Sequence, residues 1–301
     1  MGIHYITPAV TPMTAGGKID LDSCGNLYRH LMDGGVDGIL VLGSIGEFFG
    51  FTMEQKKELI RYAAKAVDGR TKLIAGTTSL VYDEIVELSR FSLEAGVDAV
   101  IVIPPYYFHF DDESVYDYYA SLASDIPGNL LLYNFPDRTG YSISPAVVRA
   151  LAERFENIVG IKDTIGGMDH TRELIKTVRP VRSDFLIYSG FDGNFAHNIL
   201  SGGDGCIGGL SNLYPELTSE WVCAARNCSL PKLRTIQVQI DRLMDIYNIG
   251  KPFVPFIKEA LVMKGIIRCA TATKPMPTAT QEQRDKLREV MKTYERAERS
   301  N

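Results

Sequence analysis

The sequence predicts an α/β protein, a (β/α)8 TIM barrel with a C-terminal helical extension, and three observations support this prediction. Short apolar runs alternate with helical patterns eight times in series. Strands joined by crossovers of about a dozen residues or more pair in parallel, and eight such units close into a barrel. Glycines that end a helix just before a strand recur in residues 34–38, 95–99 and 202–205.

Each of the eight strands is predicted from an apolar run bounded by turn residues. The strands cover residues 5–10, 38–42, 72–75, 99–103, 129–133, 157–163, 185–188 and 205–207. Helices are predicted over residues 20–32, 82–94, 113–124 and 145–155, and another begins after residue 52. Asp20 is the predicted N-cap of the first helix, and Thr52 with Gln55 forms a capping box at the start of the second.

The chain divides into a catalytic barrel over residues 1–228 and a helical subdomain over residues 229–301 that packs on the barrel. Apolar residues recur at helical spacing over residues 232–247, 253–264 and 281–299. Prolines at 231, 252 and 275–277 separate these three segments. We expect an appended subdomain and not an independent folding unit.

The composition excludes several classes of protein. The chain has 301 residues, of which 45% are hydrophobic and 23% charged, as in ordinary globular proteins. A net charge of −5 without a basic run argues against nucleic acid or an anionic membrane as a partner. No apolar run approaches the roughly 20 residues of a transmembrane helix. Five cysteines without C-x-x-C spacing and a start unlike a signal peptide predict a reduced, cytoplasmic protein.

The sixth predicted strand, residues 157–163, carries a lysine at its C-terminal end. Side chains alternate along a strand, so Gly160 and Lys162 share one face. Both faces are otherwise apolar, which indicates a parallel strand covered on both sides. Burial disfavours the charged form of an amine, and a neutral amine is the nucleophile that forms a Schiff base with a carbonyl compound. The alternative is a lysine that reaches solvent or pairs with Asp163.

Chemistry in a barrel of this kind takes place at the C-terminal ends of the strands. Strand two is followed by the glycine-bracketed turn 43–47, whose backbone N–H groups could bind a carboxylate. Tyr133 ends strand five on the same face as Leu131, so we expect it in the barrel interior beside Lys162. Together with Ser44, these side chains supply a nucleophile, a proton carrier and a relay.

The chain resembles the dihydrodipicolinate synthase / N-acetylneuraminate lyase family of pyruvate-dependent class I aldolases along nearly its whole length. Five motifs carry the resemblance in order: G-S-x-G-E at 43–47, P-Y-Y at 105–107, Y-N-x-P at 133–136, G-I-K-D at 160–163 and S-G-x-D at 189–192. The resemblance implies a lyase that binds pyruvate and an aldehyde. It implies no metal and no cofactor beyond a covalent imine with Lys162. The five histidines show no metal-ligand spacing.

The resemblance also implies roles for particular residues. Lys162 matches the Schiff-base lysine, Tyr133 the proton-transferring tyrosine and Ser44 the relay hydroxyl. Tyr107 matches a tyrosine that reaches into the neighbouring subunit's site, which implies a homodimer or homotetramer. Six further positions match the substrate-binding set: Ile45, Gly46, Glu47, Arg138, Gly190 and Ile207. The backbone amides of Ser44 and Ile45 match a cradle for the pyruvate carboxylate, and Ile207 matches the apolar residue that packs on pyruvate.

Different segments point to different substrates within the family. Arg138 matches the arginine with which dihydrodipicolinate synthases bind the carboxylate of aspartate semialdehyde. Ile45, however, replaces a threonine of the synthases, and Phe-His-Phe at 108–110 replaces their usual asparagine-basic-proline. Residues 160–164 and 252–259 resemble the 2-keto-3-deoxy sugar acid aldolases more closely. We therefore expect a sugar acid aldolase, with the synthase as the first alternative.

Two further alternatives remain at this stage. A catalytically degenerate barrel could bind a 2-oxo acid without turnover, although a binder needs no such combination of lysine, two tyrosines and serine. A dehydratase could also use the same iminium.

Overall fold

The structure is a computed structural model that describes residues 2–298, with side chains as far as residue 292. Eight parallel strands form a closed barrel in sequence order, and the last strand pairs with the first. The strands are β1 (His4–Pro8), β2 (Gly38–Val41), β3 (Lys72–Gly76), β4 (Ala99–Val102), β5 (Leu130–Asn134), β6 (Ile158–Asp163), β7 (Leu186–Ser189) and β8 (Gly205–Ile207). The predicted TIM-barrel class is confirmed.

Helices surround the barrel and extend beyond it. They are α1 (Leu21–Asp33), α2 (Met53–Val67), α3 (Tyr82–Glu94), α4 (Asp112–Asp125), α5 (Pro136–Thr139), α6 (Pro145–Arg154), α7 (Asp169–Val178), α8 (Phe195–Leu200), α9 (Pro215–Arg226), α10 (Leu230–Leu243), α11 (Val254–Met263) and α12 (Gln281–Glu298). Within residues 2–298, none of these helices is long and apolar enough to cross a membrane.

The predicted helix starts are confirmed by their hydrogen bonds. The side chain of Asp20 accepts from the backbone of Ser23 and caps α1. Thr52 and Gln55 each accept a hydrogen bond from the other's backbone, which is the complete capping box at the start of α2. These caps satisfy N–H groups that the first turn of a helix leaves without partners.

Prolines mark helix starts more often than the sequence analysis predicted. Pro231 was expected before a helix, but it lies in the first turn of α10, and Pro255 lies in the first turn of α11. Proline is tolerated there because the missing N–H has no acceptor within the helix. Helix α5 was not predicted. It consists of a single turn that starts at Pro136 and ends at Gly140, which adopts a φ of 84°.

The C-terminal helices share a hydrophobic core with the barrel. Ile257 and Leu261 of α11 and Leu287 of α12 belong to the same buried cluster as Ile39 and Leu40 of β2. Burial of this shared apolar surface stabilises the docking of the extension. The division between residues 228 and 229 stays a prediction, and the predicted end of the last helix at residue 299 lies outside the described residues.

Candidate active site

A cavity of about 760 Å³ lies at the C-terminal end of the barrel, which is where TIM-barrel enzymes in general have their active sites. Ser44 after β2, Tyr133 of β5 and Lys162 of β6 reach it from three strand ends. The C-terminal extension completes the wall with Met244, Tyr247, Phe253, Val254 and Met276. A concave, largely apolar site with a few convergent polar groups is the usual form of a small-molecule site.

Lys162 lies inside the barrel with 4% of its surface exposed. In the parallel register of β5 and β6 it stands beside Tyr133, and its Nζ donates to the Tyr133 Oη at 3.2 Å. The Oγ of Ser44 lies 3.4 Å from the same Oη. The structure therefore joins the amine and the two hydroxyls in one hydrogen-bonded chain. Lys162 neither reaches solvent nor pairs with Asp163, which was the alternative interpretation.

The surroundings of Tyr133 favour loss of its phenolic proton. Burial alone would raise its pKa, but the positive charge of Lys162, the hydrogen bonds from Ser44 and Lys162, and the nearby hydroxyl of Thr164 outweigh that effect. The net result is a pKa of Tyr133 below its ordinary value. A tyrosine in this state can exchange a proton with the neighbouring amine or with a bound substrate.

The turn after β2 has the features of an anion site. Its chain reversal is closed by the Glu47 amide, which donates to the Ser44 carbonyl at 3.3 Å. Within residues 2–298 the backbone amides of Ser44 and Ile45 donate to no protein acceptor. A Cβ at Gly46 would lie only 3.0–3.1 Å from three backbone atoms, of Leu42, Ala9 and Gly43, so the turn is tightly packed. Free amides on a fixed turn suit a carboxylate.

Thr164 contributes a site hydroxyl that the sequence analysis did not identify. It is 3% exposed, lines the cavity, and its Oγ1 has no hydrogen-bond partner of ordinary geometry in the protein. A Cβ at Gly190 would lie 1.8 Å from this oxygen, so the glycine makes room for the threonine. Because Thr164 follows Lys162 by two residues, the alternation of strand side chains could have identified it.

Asp163 stabilises the ends of β5 and β6 from outside the cavity. It accepts from Asn134 at 2.7 Å, from Thr171 at 2.6 Å and from the Nδ1 of His170 at 3.1 Å. The Nε2 of His170 faces the Ile143 carbonyl at 3.0 Å. Burial opposes the charged form of His170, but the hydrogen bond and charge of Asp163 prevail and raise its pKa. Two acceptors around one ring favour the imidazolium form.

Asp192, in the fifth motif, ties the C-terminal extension to the barrel. It accepts hydrogen bonds from the hydroxyl of Tyr5 in β1 and, at 3.1 Å, from the hydroxyl of Tyr247. The backbone of Leu210 donates to it at 2.9 Å. Because these donors occupy the carboxylate, we assign Asp192 a structural role, although it lines the cavity.

The structure divides the predicted substrate-binding residues into two groups. Ile45, Arg138, Gly190 and Ile207 line the cavity, and the guanidinium of Arg138 lies over the ring of Phe135. Gly46 and Glu47 do not line it. Glu47 was expected to face substrate, but its side chain is fully buried against the C-terminal extension, where it forms an ion pair with Lys258. That correction removes the Glu47 carboxylate from the substrate surface.

Tyr107 lies outside the cavity of its own chain. It is 88% exposed and has a φ of 98°, a conformation that is rare for any residue except glycine. Its role therefore stays a prediction that concerns a second subunit. Within residues 2–298, no group of three or more histidine, cysteine, aspartate or glutamate residues is arranged to hold a metal ion.

A parallel eight-stranded barrel with a buried lysine, a tyrosine and a serine in one cavity defines a lyase of the class I pyruvate aldolase type. The chain belongs to the dihydrodipicolinate synthetase family, whose model matches residues 3–294. Pyruvate and aldehyde substrates are consistent with this family.

Relatives of both predicted substrate types are similar to this chain. It is 35% identical to the putative 2-dehydro-3-deoxy-D-gluconate aldolase YagE of Escherichia coli K12, over 86% of each chain. It is 36% identical to the 4-hydroxy-tetrahydrodipicolinate synthase of Kosmotoga olearia, over 94% of this chain and 95% of that one. The crystal structure of YagE in complex with pyruvate superposes with a TM-score of 0.95 at 32% identity, over 97% of this chain and 98% of that one.

Proposed function

We propose that this lyase forms a Schiff base between Lys162 and pyruvate and uses it to cleave or form a C–C bond, with a 2-keto-3-deoxy sugar acid as the substrate. The hydrogen-bonded chain from Lys162 through Tyr133 to Ser44 is the observation that carries the proposal. A neutral amine beside a proton acceptor is the arrangement that attack on a ketone requires.

The steps follow from the three groups. Tyr133, as the phenolate, takes a proton from the Lys162 ammonium, and the free amine attacks C2 of the 2-oxo acid. Tyr133 then returns this proton to the hydroxyl formed at C2, which leaves as water and restores the phenolate. The resulting iminium withdraws electrons from C3. In the cleavage direction Tyr133 removes the proton of the C4 hydroxyl, the C3–C4 bond breaks and the aldehyde leaves. The remaining enamine takes a proton at C3, and water releases pyruvate from the lysine. The synthetic direction reverses these steps, and no metal or further cofactor is required.

Three observations favour a sugar acid. The unpaired, buried Oγ1 of Thr164 can bind a substrate hydroxyl, and such a buried polar atom is costly without a partner. Ile45 offers no hydrogen bond from its side chain at the same cavity. YagE, which is named as a putative sugar acid aldolase, is also similar to this chain in sequence and structure. Arg138 supports the second candidate, dihydrodipicolinate synthase, because a cation on the cavity wall suits the carboxylate of aspartate semialdehyde.

Kinetics with both substrates distinguish the two functions. We expect kcat/KM for pyruvate release from 2-keto-3-deoxygluconate to exceed that for condensation of pyruvate with aspartate semialdehyde by roughly tenfold or more, because unpaired polar groups penalise the wrong substrate. Arg138→Ala is expected to impair the synthase reaction more than the cleavage. A higher kcat/KM with aspartate semialdehyde in the unmodified enzyme would identify it as the synthase.

We also propose that the active form is a homodimer or a homotetramer in which Tyr107 enters the partner's cavity. Tyr107 and Phe108 follow β4, and the neighbouring loop after β3 carries Leu80 and Val81. All four side chains are more than half exposed. A cluster of exposed apolar residues on adjacent loops is typical of a protein interface.

The five cysteines, which form no disulfide, are consistent with a cytoplasmic location.

Leu80→Asp combined with Phe108→Asp tests this interface. The two charges oppose burial of the apolar loops, so we expect a monomer by sedimentation velocity and a loss of activity by roughly tenfold or more, since Tyr107 no longer reaches a second site. Leu200→Asp, at an apolar residue that is 70% exposed on α8, is the matched control and should change neither property. Full activity in a verified monomer would contradict the proposal.

A further inference from the structure

A buried ion pair joins the C-terminal extension to the turn of the proposed carboxylate site. Lys258 lies in α11 and Glu47 lies three residues after Ser44. Both side chains are fully buried, and the Lys258 Nζ contacts the Glu47 Oε1. The pair is far apart in sequence and close to the site, although neither side chain lines the cavity.

All described side-chain contacts that hold Glu47 come from the extension. Its Oε2 accepts from the amide of Thr273 at 2.6 Å and from the Thr273 hydroxyl at 2.8 Å. Lys258 in turn donates to the Thr271 carbonyl at 2.8 Å. A Cβ at Gly50 would lie 2.4 Å from the Thr273 side chain, so this connecting segment packs tightly on the chain that follows the turn.

The backbone of Glu47 is held in a conformation that it would not adopt by preference. Its φ of 58° and ψ of 38° lie in the left-handed region, which favours glycine. In that conformation its amide donates to the Ser44 carbonyl and closes the turn around Ile45 and Gly46. The side-chain contacts of Glu47 therefore act on the residue whose backbone fixes the turn. Strain that surrounding contacts maintain is typical of functional sites.

Resting on the proposed function, we propose that Lys258 and Glu47 are positioning residues for pyruvate: their ion pair holds the turn so that the free amides of Ser44 and Ile45 are fixed for the pyruvate carboxylate. A buried ion pair contributes little net stability, because desolvation of both charges offsets their attraction. A contribution to stability therefore does not explain this pair, whereas a role in fixing the geometry of the adjacent binding site does. Glu47 thus takes part in substrate binding through its backbone and not through contact with substrate.

The test is the pyruvate dependence of borohydride trapping on Lys162 in the double variant Glu47→Gln with Lys258→Met. This variant removes both charges together, so neither is left buried without a partner. We expect the pyruvate concentration for half-maximal trapping to rise by roughly tenfold, which is one 1.4 kcal/mol step in binding. The maximal trapping rate and its pH dependence should stay within about twofold, since Lys162 and Tyr133 are untouched.

Glu259→Gln is the matched control, because Glu259 follows Lys258 in α11 and pairs with Arg284 of α12 at 2.9 Å. It should lower the melting temperature without changing the pyruvate dependence. Glu47→Asp is the second variant, for the case in which the double variant does not fold. It keeps both charges but shortens the side chain by one methylene, and should also raise the half-maximal concentration.

The outcomes separate the two proposals. A wild-type pyruvate dependence in a folded double variant, or in folded Glu47→Asp if the double variant fails to fold, overturns the positioning role. A fall in the maximal rate with an unchanged half-maximal concentration also overturns it, because that is the result of a smaller folded fraction. Absence of any adduct in the unmodified enzyme overturns the proposed function instead.

Discussion

Lys162→Ala is expected to abolish trapping of pyruvate by borohydride and to lower turnover by a factor of roughly 10⁴–10⁶, the range seen when an enzyme loses its nucleophile. No other described lysine lines the cavity, so no second amine can replace it. The proposed C–C bond cleavage takes place on an imine of this Nζ, so its removal leaves no route through that intermediate.

The measurement is mass spectrometry of the enzyme after reduction with pyruvate, followed by peptide mapping. Wild-type enzyme should carry one reduced pyruvyl group on the peptide that contains Lys162, and the variant none. Lys72→Ala is the control, because Lys72 lies at the start of β3, exposed, in a surface ion pair with Asp98. An adduct at another lysine, or substantial turnover by Lys162→Ala, would refute the assignment of the nucleophile.

Tyr133→Phe is expected to lower kcat/KM by roughly 10²–10⁴, the usual contribution of a positioned acid or base. The substitution keeps the ring, which stacks on Phe135 with centroids 6.0 Å apart, and removes only the hydroxyl. Lys162 and its amine remain, so slow formation of the pyruvate adduct should persist. Tyr119→Phe is the control, because Tyr119 is a fully buried tyrosine whose hydroxyl donates to the Val102 carbonyl away from the cavity.

Ser44→Ala tests the role of Tyr133 through the pH dependence of the rate. We expect the rate to rise with pH as Tyr133 loses its proton, and to do so at a lower pH than with an ordinary phenol because the pKa of Tyr133 is lowered. Ser44 is one of the groups that lower this pKa, so its removal should shift the rise to higher pH. Equal pH profiles for the variant and the wild type would show that Ser44 does not influence Tyr133.

The barrel could be predicted from the sequence because the patterns that specify its strands and helices are local and repeat eight times. Apolar runs, capping residues and glycine stops each specify a strand or a helix end, and eight repeats of them admit one parallel closure. The pairing of Lys162 with Tyr133 followed from the alternation of side chains on neighbouring strands. The structure bears this out through the register in which the two residues stand side by side.

The remaining features depend on contacts between segments far apart in the chain. Nothing in residues 43–47 shows that Glu47 turns away from the cavity, because its partner Lys258 is more than 200 residues distant. The bond from His170 to Asp163 requires the start of α7 to fold back on the end of β6. The predicted role of Tyr107 would require contacts with a second subunit, and local sequence patterns do not specify such contacts.

The mixed origin of the cavity wall has a consequence for how new substrates could arise. Strand ends supply the amine and both hydroxyls, whereas Phe253, Val254 and Met276 enter from the extension. Exchanging only these three lining side chains for those of a relative is therefore expected to change the choice of aldehyde, while Lys162, Tyr133 and Ser44 stay the same. In this fold, substrate selectivity can change through the few side chains that the extension contributes to the cavity wall, without any change in the catalytic residues.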